Sequence, residues 1–217
     1  IDQVKYHQQL VKQTLANNLE SKFLALCKLS DLNIPKSKDQ SDEYLNKAQA
    51  LTKYDIKYEG IFQYYKGLHS VKKNSKKEAI TDFNRSIVVL SNEKDSLSQY
   101  YFAHTLYQKA YNEVAGKGYD VIVDVLTNKV IPIAQSIKNV ELEAYYTTQL
   151  GLVFMSIGQF EKAIEFHEKS ETLLNFANEN NSVRLLLYHN FVSAYCYLAQ
   201  GDVAKTYLDK ANKLMAS

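Results

Sequence analysis

Apolar residues recur at three- and four-residue intervals along almost all of the 217-residue chain, the pattern of helices that bury one face. The periodicity predicts helices near 3–30 (interrupted around Asn17-Asn18), 40–52, 54–72, 76–91, 96–115, 119–137, 140–157, 160–178, 182–199 and 203–215. Ser75-Lys76-Lys77-Glu78 reads as a capping box, in which hydroxyl and carboxylate each satisfy an orphan backbone donor. Gly201-Asp202 reads as the end of one helix and the cap of the next. Pro132 falls inside a helical stretch, where it removes one backbone bond and predicts a kink or restart. The polar segment Asn33 to Ser41, with Pro35, is the expected loop. No interdomain linker interrupts the pattern, so one repeat domain over residues 1–217 is expected.

Within this pattern, residues 144–174 (AYYTTQLGLVFMSIGQFEKAIEFHEKSETLL) resemble a tetratricopeptide repeat, a pair of antiparallel helices with small residues at the crossing. Leu150-Gly151 and Phe154 match the first helix, and Gly158-x-Phe160 matches the turn. Ala163 supplies the small residue of the second helix, since two helices close to about 8–10 Å only where a side chain is nearly absent. His167 and Ser170 depart from the aromatic and alanine preferred there. A second copy from Leu187 to Met215 places Ala194, Tyr197, Gly201-Asp202 and Thr206 in the corresponding roles, 43 residues on. An earlier copy shows Gly67, Ala79 and Phe83 at the same spacings, with Lys66 and Ser70 departing from the apolar pattern. Between 92 and 138 either Ala103 or Ala110 fits as the small residue. The expected fold class is all-α: a right-handed solenoid of about five antiparallel helix pairs.

Composition agrees with long helices and short joints, for only 7 Gly and 2 Pro occur. Cys27 and Cys196 show no disulfide or zinc spacing and read as small core residues of a protein from a reducing, cytoplasmic compartment. No run approaches a membrane span, so no membrane partner is expected. The net charge is +2, and the lysines are interleaved with acids, as on a solvated surface. Lys72, Lys73, Lys76 and Lys77 cluster at one joint, too narrow a patch for duplex binding.

The five histidines (His7, His69, His104, His167 and His189) lack metal-ligand spacing, so neither a metal nor another cofactor is expected. Glu141 and Glu143 point in different directions from one helix. Glu161, Glu165 and Glu168 share a face with Lys162 and Lys169 at its flanks, a solvated surface. No phosphate loop or nucleophile elbow occurs, and no enzyme activity is expected.

The distinctive feature is aromatic content without tryptophan: 17 Tyr and 9 Phe. Tyr145, Thr148, Leu152 and Met155 share one face of a first helix, and Tyr188, Phe191, Tyr195 and Leu198 repeat the placement 43 residues later. By the tetratricopeptide resemblance these positions face a concave groove, while Leu150, Gly151, Phe154, Ala194 and Tyr197 face the core. Such a groove buries apolar peptide side chains, with Gln149 and Asn190 available to a peptide backbone. The candidate peptide-binding set is therefore Tyr145, Thr148, Gln149, Leu152, Met155, Tyr188, Asn190, Phe191 and Tyr195. The basic carboxylate clamp of some tetratricopeptide domains is missing, so side chains rather than a terminus should be read.

The opening VKYHQQLVKQTLANNLESKFLALCKLSDL is followed by YEGIFQYYKGLHSVKKNSKKEAITDFNRSI and LGLVFMSIGQFEKAIEFHEKS. This layout resembles the sensor half of PlcR/Rgg/NprR peptide-pheromone receptors of Gram-positive bacteria. The resemblance implies a short signalling peptide as ligand, a homodimer built on the repeats, and DNA binding only through a helix-turn-helix domain upstream of Ile1. Two other classes stay open: a scaffold joining protein partners, and a Rap-like sensor acting on a signalling protein.

Overall fold

The computed structural model describes residues 2–13, 18–175 and 181–216. Among them the secondary structure is helical, and the chain divides into two compact units, residues 1–112 and 113–217.

The first unit holds α1 (Gln3–Gln13), α2 (Leu19–Asn33), α3 (Lys38–Gln49), α4 (Ile56–Lys72), α5 (Lys76–Leu90) and most of α6 (Ser96–Lys117). The expected interruption near Asn17-Asn18 falls where Asn18 caps α2 by accepting from the Ser21 amide at 3.0 Å; Asn17 lies outside the described residues. The polar segment expected as a loop is mostly helical. α2 runs to Asn33, Ser37 caps α3, and only residues 34–37 separate the two. The core of this unit gathers Phe23, Leu26, Cys27, Tyr58, Ile61, Phe83 and Leu90. Gly67 permits the closest approach, since a Cβ there would lie 2.4 Å from Cε1 of Phe83. Ala103 and Ala110, the two candidates for the small residue of α6, are both buried.

A buried polar knot ties α2, α3 and α4 together. His69 Nε2 lies 2.6 Å from Ser30 Oγ and 3.3 Å from Ser41 Oγ, and Nδ1 faces Asp42 at 3.9 Å. The order of groups is that of a serine nucleophile, a base and an acid. Ser30 is fully buried, however, so no substrate carbonyl reaches it, and the knot is structural. Burial, reinforced by the charge of Lys73, pushes the His69 imidazole down to about 4.

The second unit holds α7 (Asp120–Val125), a π-helical turn (Leu126–Val130), α8 (Ile131–Ser136), α9 (Val140–Ser156), α10 (Phe160–Leu174), α11 (Asn181–Tyr197) and α12 (Gly201–Ala216). Pro132 acts as its chemistry predicts. It stands in the first turn of α8, and Ile131 N–H reaches back five residues to the Leu126 carbonyl. The widened turn removes the clash of the proline ring with the preceding turn without ending the helix.

Four joints close in the same way: the residue before the next helix's cap is left-handed, and the amide after it donates five residues back. Asn74, Lys138, Gly158 and Ala199 have φ of 59°, 54°, 76° and 56°. Ser75, Asn139, Gln159 and Gln200 donate to the carbonyls of Ser70, Ala134, Phe154 and Tyr195. Two expectations are corrected here. Ser75 stands at the N-cap of α5 but makes no side-chain cap bond, so the capping box does not form. Ala199, rather than Gly201, takes the left-handed position, and Gly201 is the first residue of α12.

The repeat register is legible from helix ends. α4 and α9 correspond at an 84-residue offset, Ile56–Lys72 against Val140–Ser156, and so do α5 and α10, Lys76–Leu90 against Phe160–Leu174. Gly67, Ala79, Phe83, Ser86 and Leu90 thereby match Gly151, Ala163, His167, Ser170 and Leu174. In the last hairpin the offset is 41 residues, not 43, since Val140–Ser156 matches Asn181–Tyr197. The stacked pair Phe154–Phe166 (5.2 Å) then recurs as Tyr195–Tyr207 (5.8 Å). Ala204 is the buried small residue, and Thr206, expected there, is exposed.

Candidate functional site

A slip of two residues turns a helix by about 200°, so the corrected register changes which faces correspond. The nine residues expected to line a peptide groove do not form one open stripe. Phe191 is 0% exposed, stacked on Tyr207 at 4.1 Å and set edge-on to His167 at 5.4 Å. It occupies the place that Leu150 holds one hairpin earlier. Thr148 is buried, its hydroxyl 2.7 Å from Ser170 Oγ and bonded to the Ala144 carbonyl. Gln149 and Asn190 are also buried.

Tyr145, Leu152, Met155, Tyr188 and Tyr195 are half-buried. Tyr188 lies against Tyr207, with Lys210 Nζ 5.6 Å from its ring centroid. Burial raises the Tyr145 phenol above its ordinary range. Burial with Glu168 and Glu171 nearby does the same for Tyr195, so both remain hydrogen-bond donors at neutral pH. Tyr197, expected in the core, is 71% exposed and stacks its ring on Phe160. Cys196 is exposed too, whereas Cys27 is buried as expected.

What the fold opens instead is a groove of ≈ 460 Å³ between the π-turn and α8 on one side and α9 and α10 on the other. Ile131, Leu150, Phe166 and Leu173 give it an apolar floor, and Thr127, Thr147 and Thr172 complete the lining, the Thr147 and Thr172 hydroxyls donating to the Glu143 and Glu168 carbonyls of their own helices. Two charged side chains stand at its edges. Glu143 accepts from Gln135 Nε2 at 2.7 Å, and Lys169 places its ammonium 4.9 Å from the Phe166 ring centroid. Its volume is within the roughly 300–1,000 Å³ of ordinary ligand sites, and a mainly apolar lining with a few fixed polar groups is what such sites use.

The local sequence explains the groove. Pro132 and the π-turn rotate Ile131 and Gln135 relative to a regular helix, and Thr147 is a small residue in the groove's lining. Glu143 and Lys169 carry ordinary helix-surface signals in sequence. The groove-lining Ile131 and Gln135 sit on the element whose repeat register sequence reasoning left open, so it found no route to the groove.

The lysine cluster is half neutralised: Lys72 pairs with Asp31 at 2.8 Å and Lys73 with Asp42 at 3.3 Å. Among the described residues, no group of three or more His, Cys, Asp or Glu is placed to hold a metal ion. Among them, too, no helix is long and apolar enough to cross a membrane.

No protein-family model and no curated protein matches the chain. Solved structures do. The chain is similar to BtubC (BKLC) from P. vanneervenii, with a TM-score of 0.70 and 11% identity over 99% of this chain and 87% of that one. A Podosopora anserina protein described as a kinesin light chain, with nearly identical TPR-like repeats, gives 0.63 and 15% over 93% and 98%. The apo form of RapI gives 0.65 and 10% over 89% and 70%. At such identities the likeness defines the fold. It is the expected one, an all-α solenoid of antiparallel helix pairs of tetratricopeptide type.

Proposed function

We propose that the chain is a polypeptide-binding module that takes a short, partly apolar segment into the α8–α9–α10 groove. One observation carries this reading: a formed apolar groove bordered by one carboxylate and one ammonium that are not spent on each other. An apolar side chain entering it covers Ile131 and Leu173, while Glu143 and Lys169 fix the direction of the segment. Fluorescence titration of a synthetic peptide array against the wild-type chain and Lys169→Glu tests it. Tight binders should weaken about tenfold or more in the variant, and equal affinities with an unchanged fold sink the groove.

Within that reading, the layout favours the sensor half of a peptide-responsive transcriptional regulator over a scaffold or a Rap-like sensor. A reading frame with an upstream helix-turn-helix supports the regulator, a three-helix bundle the Rap-like sensor, and neither supports the scaffold. Self-association belongs to the same proposal. Leu208 and Met215 on α12 are 48% and 65% exposed, whereas their counterparts on α10, His167 and Leu174, are fully buried by α11. A second copy of the chain is the partner proposed for that open face.

A further inference from the structure

We infer a second binding groove, on the α4–α5 hairpin, that takes the same class of ligand: a polypeptide segment with an apolar side chain flanked by a base and an acid. This deepens the proposed function, because it supposes that such grooves bind polypeptide.

The 84-residue correspondence of the two hairpins carries over from their cores to their open faces. A groove of ≈ 500 Å³ on α4 and α5 is lined by Glu59, Gln63, Arg85, Val88 and Val89 among others. Their counterparts on α9 and α10 are Glu143, Thr147, Lys169, Thr172 and Leu173, all of which line the groove already described. At equal places each groove thus has a carboxylate on its first helix, a cation on its second, and an aliphatic floor from the second helix's last turn. Two such pairs need not share those charges for the core's sake, since Glu59, Arg85 and Lys169 all stand on the rims.

Two features of the first unit point to an occupant. Val88 is 67% exposed on the outside of a regular helix, an apolar side chain with nothing covering it. Arg85 is only loosely held, at 3.6 Å from Asp82, which already has Lys66 at 3.1 Å. It is available to a ligand carboxylate.

The last hairpin shows what closes such a groove. There Arg184 replaces the carboxylate, Tyr188 the small residue, and Tyr207 fills the floor. Lys210 is consumed by Glu171 at 2.9 Å and by both tyrosine rings. The open, dipolar arrangement is therefore not automatic in the repeat.

The test uses the whole chain and an array of synthetic ten-residue peptides with a Leu-Leu centre and Lys and Glu on opposite sides, in both orders. Calorimetric titration of the best peptide should give two sites on wild type. Val88→Glu, at an exposed position, should remove one of them, and Arg85→Glu should weaken the same one about tenfold while thermal melts confirm folding. Lys169→Glu should remove the other. A single site that survives Val88→Glu and Arg85→Glu but disappears in Lys169→Glu overturns this inference and leaves the α8–α9–α10 groove standing. A single site with the opposite behaviour upholds the inference and sinks that groove. No binding by any peptide of the array overturns both.

Discussion

Replacing His167 by phenylalanine should stabilise the protein, although it removes a histidine from its interior. The ring is fully buried and packs so closely on α9 that a Cβ on Gly151 would lie 2.4 Å from Cε1. Neither ring nitrogen has a hydrogen-bond partner among the described residues. The equivalent place in the first unit is filled by Phe83, over Gly67 at the same 2.4 Å, so the packing scheme accepts a phenyl ring. An unsatisfied buried polar group costs about 1–3 kcal/mol, and the slightly larger ring gives back part of the gain by crowding. A net gain of about 1–2 kcal/mol at pH 7.5 follows, which for a chain of this size raises the melting temperature by roughly 2–8 °C.

Acid should widen the gap. Burial lowers the folded-state imidazole from 6.5 to about 4, so the unfolded chain binds the extra proton. The stability that depends on neutral His167 is complete above pH 6.5 and is lost as pH falls toward 4, amounting to roughly 2 kcal/mol at pH 5 at 1.36 kcal/mol per unit. Circular dichroism melts of wild type and His167→Phe at pH 7.5 and pH 5 read both effects. A variant that melts no higher at pH 7.5, with a gap that does not grow at pH 5, refutes the reasoning.

Three further outcomes are expected. Gly151→Leu should destabilise by roughly 1–3 kcal/mol or more, because its Cβ would meet His167 and lie 3.0 Å from the Ala163 carbonyl oxygen; an unchanged thermal midpoint contradicts this. Ala199→Gly should stabilise by up to about 1 kcal/mol, since it relieves a left-handed alanine at φ 56°, and a denaturant midpoint at or below wild type counts against it. Sedimentation at tens of micromolar should show a dimer that Leu208→Glu and Met215→Glu dissociate, and a wild-type monomer excludes the proposed contact.

Helical periodicity, the small residues Gly67, Gly151 and Ala163, and the effect of Pro132 were legible in the sequence because each depends on local geometry or on one obligatory close contact. The repeat register was not. Gly201 offered a familiar helix terminator, and only the backbone places the left-handed residue at Ala199, two positions earlier. That difference rotates the last hairpin's faces, burying Phe191 and exposing Tyr197. Capping signals are weak, about 1 kcal/mol each, and the packing of Tyr195 and Phe191 on Tyr207 outweighs them. The grooves were illegible for a related reason. Glu59 and Glu143, or Arg85 and Lys169, each look like ordinary solvated charges in one dimension. Only the side-by-side packing of helices, with Val88 left uncovered, makes them the rims of a site.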